Sequence, residues 1–458
     1  MGKRKKGKKV VVQGEPKLTA APMAAPAMVA ATKKIKVLAY CDSPTCATGF
    51  GTVSRNIFEG LYKTGKYDIE VLGINYWGDP HDFPYKIWPV GTNNERDPYG
   101  RQKVLNMIPR MDFDLLFFLQ DSFILDFLPT LLPNLKANRQ KPFKSILYYP
   151  VDSVIKEKWG KNITQADYMV AYSEFGRKET LKVLPYREDI TVIPHGVNTK
   201  EYFPLPENVI KDFREKYFKQ FANHFIITNV NRNQQRKDLP RTISAFKKFR
   251  ETVPESILYL HMAMKDQGWD LAEVCKAYEM DTTRDVIFPS NFGPNQGYPR
   301  DMVNLIYNAS DVVVSTTLGE GFGLAWMEAL SAKTPIIMPA NTMLPEFITE
   351  ETGYLCKSGG DPSLYTTIQF DNEVIRPLTD VNDLVKVLLD IYNNREEAER
   401  RATNGYKWIN NSMDWIRHIV PQWVKVFEKA YSEMMQQAQT GIEIIDPSIK
   451  KVIASEVF

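Results

Sequence analysis

The sequence predicts an α/β protein made of two Rossmann-like, doubly wound domains that face a central cleft. Its 458 residues exceed the size at which a single hydrophobic core keeps growing, so two domains are the default. Predicted strands alternate with predicted helices, which is typical of parallel sheets with helical crossovers. The clearest such unit is residues 311–339, where a β-branched run, a glycine-containing loop, an apolar-patterned helix and a second apolar run follow one another.

The first domain opens on a strand followed by a loop that carries Gly49 and Gly51. Apolar residues then recur at helical spacing and predict a helix capped near Thr52 or Ser54. A strand, a glycine loop and a helix at the start of a domain favour phosphate binding, although two glycines alone are a weak signal. The strands of this domain are predicted at residues 34–40, 69–74, 115–119, 145–149 and 168–171.

The second domain is predicted to begin with a strand at residues 226–230. The polar loop 231–238 follows the carboxyl end of that strand, where ligands bind in open α/β sheets. Its cations, Arg232, Arg236 and Lys237, could neutralise a diphosphate. The alternative is a basic turn that is simply solvated. Further strands are predicted at residues 257–261 and 286–289.

The loop at residues 317–323 leads into a predicted helix at residues 324–332. Free N–H groups at a helix start, with small residues that let a ligand approach, form an anion site. Two carboxylates flank this site, Glu320 in the loop and Glu328 in the helix. Since carboxylates repel phosphate, we expect them to face the neutral hydroxyls on either side of a diphosphate, as in a sugar nucleotide. The alternative is a buried helix with two solvated glutamates.

Residues 319–337, GEGFGLAWMEALSAKTPII, resemble the glutamate-x7-glutamate motif of GT-B glycosyltransferases, specifically the retaining family 4 enzymes. The resemblance extends over about residues 34–435. It implies a GT-B fold in which the second domain holds most of the donor. It also implies retaining, hexosyltransferase-like transfer from a UDP- or GDP-sugar, with no required metal or other cofactor.

The resemblance also implies roles for individual residues. Glu320 would bind sugar hydroxyls and Glu328 ribose hydroxyls. Arg232 and Lys237 match the family's R-x4-K pattern and would grip the diphosphate, whereas Arg236 does not match. The remaining donor-binding candidates are Gly49 and Gly51 in TGFGTVSRNI, Ser290 in the segment that holds the base, and Gly321, Phe322, Gly323 and Leu324 beside Glu320.

The sequence departs from the family after the strand at residues 145–149. Many members carry a histidine there, near the reacting sugar carbon, and this chain has none. Asp152 is the nearest candidate for a catalytic role, and Asp121 is a second. The alternative for Asp152 is an N-cap of a helix over residues 154–159.

Three other features have plainer interpretations. Asp112 and Asp114 form an Asp-x-Asp pair like the metal motif of the GT-A fold, but they precede a strand, so we predict a capped turn. His195, in a segment that resembles the family's domain junction, is predicted to pack rather than to catalyse. The aromatic loop at residues 76–89 either faces an acceptor or packs as an insert.

Composition limits the class of protein. Hydrophobic residues make up 43% and charged residues 25% of the chain, as is ordinary for a soluble globular protein. The six cations within residues 3–9 exceed the net charge of +3, and residues 1–33 are predicted to be a disordered basic arm. Four scattered cysteines fit a reducing, cytoplasmic setting, and no apolar run is long enough to span a membrane.

The predicted domains are the arm at residues 1–33, an acceptor domain at 34–203, a nucleotide-sugar domain at 204–414, and a crossing helix with a tail at 415–458. The expected acceptor is a carbohydrate or a glycolipid. The basic arm and the aromatic loop leave open the glycosylation of hydroxymethylated bases in DNA. A non-catalytic nucleotide-sugar binding module is the remaining alternative.

Overall fold

Two parallel sheets form the framework of the protein. The computed structural model describes residues 2, 33–91, 96–293 and 297–440. Nearly all of the predicted arm and residues 441–458 therefore lie outside the described part of the chain. Within it, no helix is long and apolar enough to cross a membrane.

The first sheet contains strands that are all parallel. Its strands are β1 (Ile35–Asp42), β2 (Tyr67–Ile74), β3 (Lys86–Pro89), β4 (Leu115–Leu119), β5 (Lys144–Tyr149), β6 (Tyr168–Ala171) and β7 (Thr191–Val192). Their order is β3-β2-β1-β4-β5-β6-β7. All residues of β4 and β5 are buried, because helices cover both faces of such a sheet. The helices of this domain are α1 (Gly49–Lys63), α2 (Arg101–Met107), α3 (Leu128–Asn138), α4 (Glu157–Ile163) and α5 (Glu174–Val183).

The second sheet repeats this architecture. Its strands are β8 (Phe225–Val230), β9 (Ser256–His261), β10 (Val286–Ile287), β11 (Val312–Val314), β12 (Ile336–Pro339) and β13 (Tyr354–Cys356). Their order is β10-β9-β8-β11-β12-β13, and the pairs are parallel. The helices are α6 (Glu207–Tyr217), α7 (Leu239–Thr252), α8 (Leu271–Ala277), α9 (Arg300–Ala309), α10 (Leu324–Ser331), α11 (Leu344–Phe347), α12 (Val381–Asn393) and α13 (Arg395–Ser412). The prediction of two Rossmann-like domains is confirmed.

A small antiparallel ribbon lies outside both sheets, between β13 and α12. Its strands are β14 (Tyr365–Thr367) and β15 (Ile375–Pro377). A bridge between Ser358 and Thr379 closes its base. The sequence pattern did not predict this ribbon.

The chain continues past the second domain into a long helix that packs on the first. A π-helical turn at Trp415–Ile419 leads into α14 (Val420–Thr440). The Trp423 ring is fully buried, 5.6 Å from Phe117 of β4 and 4.6 Å from Tyr148 of β5, measured between ring centroids. Helix α14 thus completes the core of the first domain although it follows the second in sequence.

We expect Trp423→Ala to lower the free energy of unfolding by ~3–5 kcal/mol, the usual cost of emptying a buried aromatic site. Met435→Ala on the same helix is the matched control, because the Met435 side chain is partly exposed and its loss should change little. Urea unfolding followed by tryptophan fluorescence measures both. Equal effects would show that α14 is not part of the core.

One expectation about local structure was wrong. Helix α1 begins at Gly49 and not after Thr52 or Ser54, since the Thr48 hydroxyl accepts a hydrogen bond from Gly51 N at 3.0 Å and caps the helix. The aromatic loop also contains a strand, β3, at the edge of the first sheet. Its terminal proline is tolerated there, because an edge strand need not donate every N–H group.

Candidate active site

A buried charge cluster lies where the loops after β8 and β11 meet. A 3-10 turn at Gln235–Lys237 follows β8, and Asp238 with φ +45° reverses the chain into α7. Lys237 forms a direct ion pair with Glu320 Oε1, and Arg236 Nη1 lies 3.2 Å from Glu320 Oε2. The structure therefore joins the predicted sugar-binding carboxylate to the predicted diphosphate-binding lysine.

Ion pairing stabilises the charges of this cluster in the protein interior. A buried charge without a partner costs several kcal/mol, and both Lys237 and Glu320 are buried. Burial disfavours ionisation of Glu320, but the charges of Lys237 and Arg236 outweigh it and hold the pKa of the carboxyl at about 2. Glu320 is therefore an anion throughout the physiological pH range.

Two glycines of the loop at residues 317–323, Gly319 and Gly321, allow close packing between the domains. A Cβ on Gly319, which has φ +155°, would lie 2.1 Å from the carbonyl oxygen of Asp152. A Cβ on Gly321 would lie 2.6 Å from Pro150 Cβ. The small residues of this loop were predicted to let a ligand approach. The close neighbour of both glycines is instead the first domain.

The helix start after this loop has the geometry expected of an anion site. Gly323 has φ +80°, and Leu324 is the first residue of α10. The N–H groups of Phe322, Gly323 and Leu324 donate no hydrogen bond to any other described residue. The Phe322 ring is buried, with its centroid 4.8 Å from that of His195, so only its backbone can serve a ligand.

Asp152 lies across the cleft from this loop and does not cap a helix. Helix α4 begins at Glu157 with Lys156 at its N-cap, so the alternative interpretation of Asp152 is wrong. Its Oδ2 is 3.2 Å from Arg236 Nε and its Oδ1 is 3.4 Å from Arg376 Nη2. Both arginines belong to the second domain, and Asp152 thus joins the charge cluster from the opposite side.

Asp121 is the second acidic group of the first domain at the cleft, shortly after β4. Burial, with a further contribution from the charge of Asp152, raises the pKa of Asp121 to about 7, although the Arg236 charge opposes the shift. A carboxyl that titrates near neutral pH is suited to proton transfer. Asp121 therefore stays a predicted site residue beside Asp152.

Arg232 is separate from the Glu320 cluster. It forms an ion pair with Asp266, with Nε 2.8 Å from Oδ2. Burial raises the pKa of Asp42 at the end of β1, and the charge of Arg232 opposes that shift. Arg232 thus lies on the cleft but does not contact Lys237 or Glu320.

Glu328 lies in the second turn of α10 and is held by tyrosines. The Tyr307 hydroxyl donates to Glu328 Oε2 at 2.8 Å. Burial raises the pKa of Glu328 to about 7, even though hydrogen bonds from Tyr307 and Tyr202 lower it. The nearby charge of Glu201 adds to the increase and that of Arg55 opposes it.

Gly49, Gly51 and Ser290 are the remaining candidate residues. Gly49 faces open space, since a Cβ added there would have no atom within 4 Å, whereas Gly51 packs against the Cys46 carbonyl oxygen. Ser290 is exposed, and its carbonyl oxygen accepts a hydrogen bond from Tyr298 at 2.7 Å. Donor binding by Gly49, Gly51 and Ser290 stays a prediction.

Two features outside the cluster have structural partners. Asp112 is bound by Lys36 and Lys141, and Asp114 accepts a hydrogen bond from Lys36 N at 2.8 Å. His195 is buried, shares a 2.7 Å hydrogen bond with the Tyr148 hydroxyl, and has its pKa lowered by burial to about 3. It is a neutral packing residue.

Arg236 was named among the cations of its loop but was given no role in the site, and Arg376 was missed. Arg236 falls outside the R-x4-K spacing, but the 3-10 turn directs it, like its neighbour Lys237, towards Glu320. Its position beside a matched lysine was the only signal available in the sequence. Arg376 follows Glu320 by more than fifty residues, on a ribbon that no pattern predicted.

The segment that carries most of these residues resembles a known family. Residues 211–368 match the family model described as Glycosyl transferases group 1. The matched segment includes Arg232, Lys237, Glu320 and Glu328. Asp121, Asp152 and Arg376 lie outside it.

Two relatives extend the similarity beyond this domain. The uncharacterized glycosyltransferase 335 of Sulfolobus islandicus rod-shaped virus 1 is 22% identical over 276 residues, which is 60% of this chain and 78% of the viral protein. The O-antigen chain mannosyltransferase B of Escherichia coli is 22% identical over 203 residues, which is 44% of this chain and 51% of that protein. The chain thus spans about half the length of the bacterial relative.

Solved structures share the whole fold. Sucrose-phosphate synthase from Thermosynechococcus elongatus superposes with a TM-score of 0.68 at 17% identity and covers 88% of this chain and 100% of its own. HepE from Anabaena, in complex with UDP and glucose, gives a TM-score of 0.63 at 15% identity over 86% of this chain and 100% of its own. The fold is therefore GT-B, as the resemblance implied.

Proposed function

We propose that the protein is a glycosyltransferase that moves a sugar from a nucleoside diphosphate donor to an acceptor hydroxyl. The observation that carries this proposal is the buried cluster of Lys237, Arg236 and Glu320, which lies beside the N–H groups at the start of α10. Cations and helix N–H groups attract phosphate, while a fixed carboxylate accepts hydrogen bonds from hydroxyls. A sugar nucleotide presents both kinds of group.

The second domain would hold the donor. Lys237 and Arg232 would neutralise the diphosphate, and the N–H groups of Phe322 to Leu324 would add the positive end of a helix dipole, a contribution of only about 0.3–1 kcal/mol. A preorganised cation contributes more, about 2.7–4 kcal/mol, to charge that develops on the leaving group. Arg232 and Lys237 would therefore supply most of the stabilisation of the leaving diphosphate.

The reaction would proceed with retention and without a required metal. In this scheme the bond from the sugar carbon to the diphosphate breaks, and the acceptor oxygen attacks on the same face. The departing phosphate oxygen helps to take the acceptor proton. Asp152 and Asp121, from the first domain, are the side chains that would orient the acceptor hydroxyl. The expected acceptor is a carbohydrate or a glycolipid.

The experiment is a donor screen with full-length protein. UDP- and GDP-linked hexoses are incubated alone and then with oligosaccharides, a glycolipid and hydroxymethylated DNA, and release of UDP or GDP is measured. We expect slow release of UDP or GDP from one donor, and faster release when a sugar acceptor is added. Because the proposed reaction retains configuration, a donor with an axial glycosidic bond should give a product with an axial glycosidic bond, as seen by NMR. Faster release with the DNA alone would favour DNA modification. Donor binding without release would favour a non-catalytic module.

We expect donor affinity to depend on pH through Glu328. Because burial raises its pKa to about 7, the carboxyl becomes ionised as the pH rises from about 6 to about 8, and an ionised carboxylate accepts stronger hydrogen bonds from ribose hydroxyls. The dissociation constant of UDP should therefore fall over this interval, as measured by titration calorimetry. Glu328→Gln should bind UDP more weakly and show a shallower dependence of the dissociation constant on pH. The same slope in that variant would remove Glu328 from the role.

A further inference from the structure

The ribbon of β14 and β15 belongs to the second domain but is anchored in the first. Val374, just before β15, is 2% exposed and packs in the same hydrophobic cluster as Val151 and Trp159. Lys156 Nζ lies 3.2 Å from the Glu373 carboxylate and also contacts the Asn372 carbonyl oxygen. The ribbon thus spans the cleft as a strap and ends on the loop that carries Asp152.

Arg376 is the side chain that this strap places at the cleft. It is 3% exposed, whereas its neighbour Ile375 is 65% exposed, because successive side chains of a strand point to opposite faces. The Asp371 carboxylate holds the guanidinium from within the strap, with Nη2 donating to Oδ1 at 3.0 Å. A buried arginine that is held by such a hydrogen bond keeps one side-chain orientation.

The Arg376 guanidinium contacts Asp152 at two points. Arg376 Nη1 donates to the Asp152 carbonyl oxygen at 2.9 Å, and Nη2 lies 3.4 Å from Oδ1. The other carboxylate oxygen faces Arg236, which also binds Glu320. Without Arg376, the main chain and one carboxylate oxygen of Asp152 would both lose the partner that the strap provides.

We propose that Arg376 is a positioning residue for the transfer reaction. It holds Asp152 against the loop at residues 317–323, and the strap brings the Arg376 guanidinium to Asp152 only when the two domains are together. This inference rests on the proposed glycosyltransferase function. It assigns no donor contact to Arg376 itself. Its loss should therefore slow turnover and leave nucleotide affinity unchanged, since Lys237 and Arg232 remain in place.

The test compares Arg376→Gln with Ile375→Gln. Both changes lie in β15, but the Ile375 side chain is on the opposite face and is 65% exposed. We expect Arg376→Gln to lower kcat by ~10–10²-fold, the loss that a misplacement of about 1 Å can produce, with the UDP dissociation constant unchanged. Ile375→Gln should keep the wild-type kcat. If Arg376→Gln does not fold, Asp371→Asn releases the same guanidinium and should lower kcat in the same direction.

A double-mutant cycle separates positioning from a general structural effect. In an Asp152→Asn background, Arg376→Gln should lower kcat by less than about twofold further, because residues that act through one another are not additive. Equal losses in both backgrounds, or an unchanged kcat in Arg376→Gln, would overturn the inference while the wild type still turned over. Absence of any turnover by the wild type would instead overturn the proposed function, and this inference with it.

Discussion

Lys237→Ala should lower kcat by ~10²–10³-fold, the usual cost of removing one preorganised donor from a developing charge. Lys237 is buried in direct contact with Glu320, so water cannot readily replace it. The negative charge on the diphosphate grows as the sugar departs, and interactions that strengthen in the transition state affect kcat more than KM. Initial rates of UDP or GDP release over a range of donor concentrations measure both constants.

Lys247→Ala is the matched control for this variant. Lys247 lies on α7, the helix that follows Lys237, and pairs at the surface with Glu279 at 2.8 Å. Lys247 lies outside the cleft, and its removal should leave kcat and KM unchanged. A Lys237→Ala enzyme with near-normal kcat would remove Lys237 from leaving-group stabilisation, whatever its KM.

Glu320→Gln is expected to lower the free energy of unfolding by ~3–5 kcal/mol at neutral pH, because it leaves the buried cations Lys237 and Arg236 without their shared anion. The same change should abolish most turnover, since Glu320 is proposed to hold the sugar. Urea unfolding reports the first effect and donor hydrolysis the second. Glu279→Gln, which removes the carboxylate of the surface pair with Lys247, should alter neither.

The stability effect of Glu320 has a defined pH dependence. The neighbouring cations hold its pKa at about 2 in the folded state, below the usual 4.5. A carboxyl with a depressed folded pKa stabilises the protein above its unfolded pKa, and this contribution disappears as the pH falls through the folded value. The difference in the free energy of unfolding between wild type and Glu320→Gln should therefore be greatest at neutral pH and shrink as the pH falls from about 4.5 towards about 2. An equal difference at neutral pH and at about pH 3 would contradict the paired geometry.

The sequence predicted the sheets well because buried parallel strands are continuous apolar runs. Residues 115–119, LLFFL, are β4, and residues 168–171 are β6, with the bounds that the pattern predicted. The edge strand β3 and the ribbon were missed for the opposite reason. They are short and partly exposed, and they owe their conformation to neighbours that are distant in sequence.

The site was predicted only as far as local spacing allowed. The loop after β8 and the Glu320 motif each have a recognisable pattern, but 83 residues separate Lys237 from Glu320, so their contact depends on the pairing of β8 with β11. Asp152 was ambiguous because a capping aspartate and a cleft aspartate have the same sequence signature. Arg376 had no local signature, since its role depends on where the ribbon docks.

The proposed function requires the cleft to bind a nucleoside diphosphate through Lys237. Titration calorimetry with UDP and with GDP, on the wild type, Lys237→Ala and Lys247→Ala, tests this most directly. We expect one nucleotide to bind to the wild type and to Lys247→Ala with equal affinity, and to bind at least about tenfold more weakly to Lys237→Ala, a loss of ~1.4 kcal/mol. Failure of both nucleotides to bind the wild type, or equal binding by Lys237→Ala, would contradict the account.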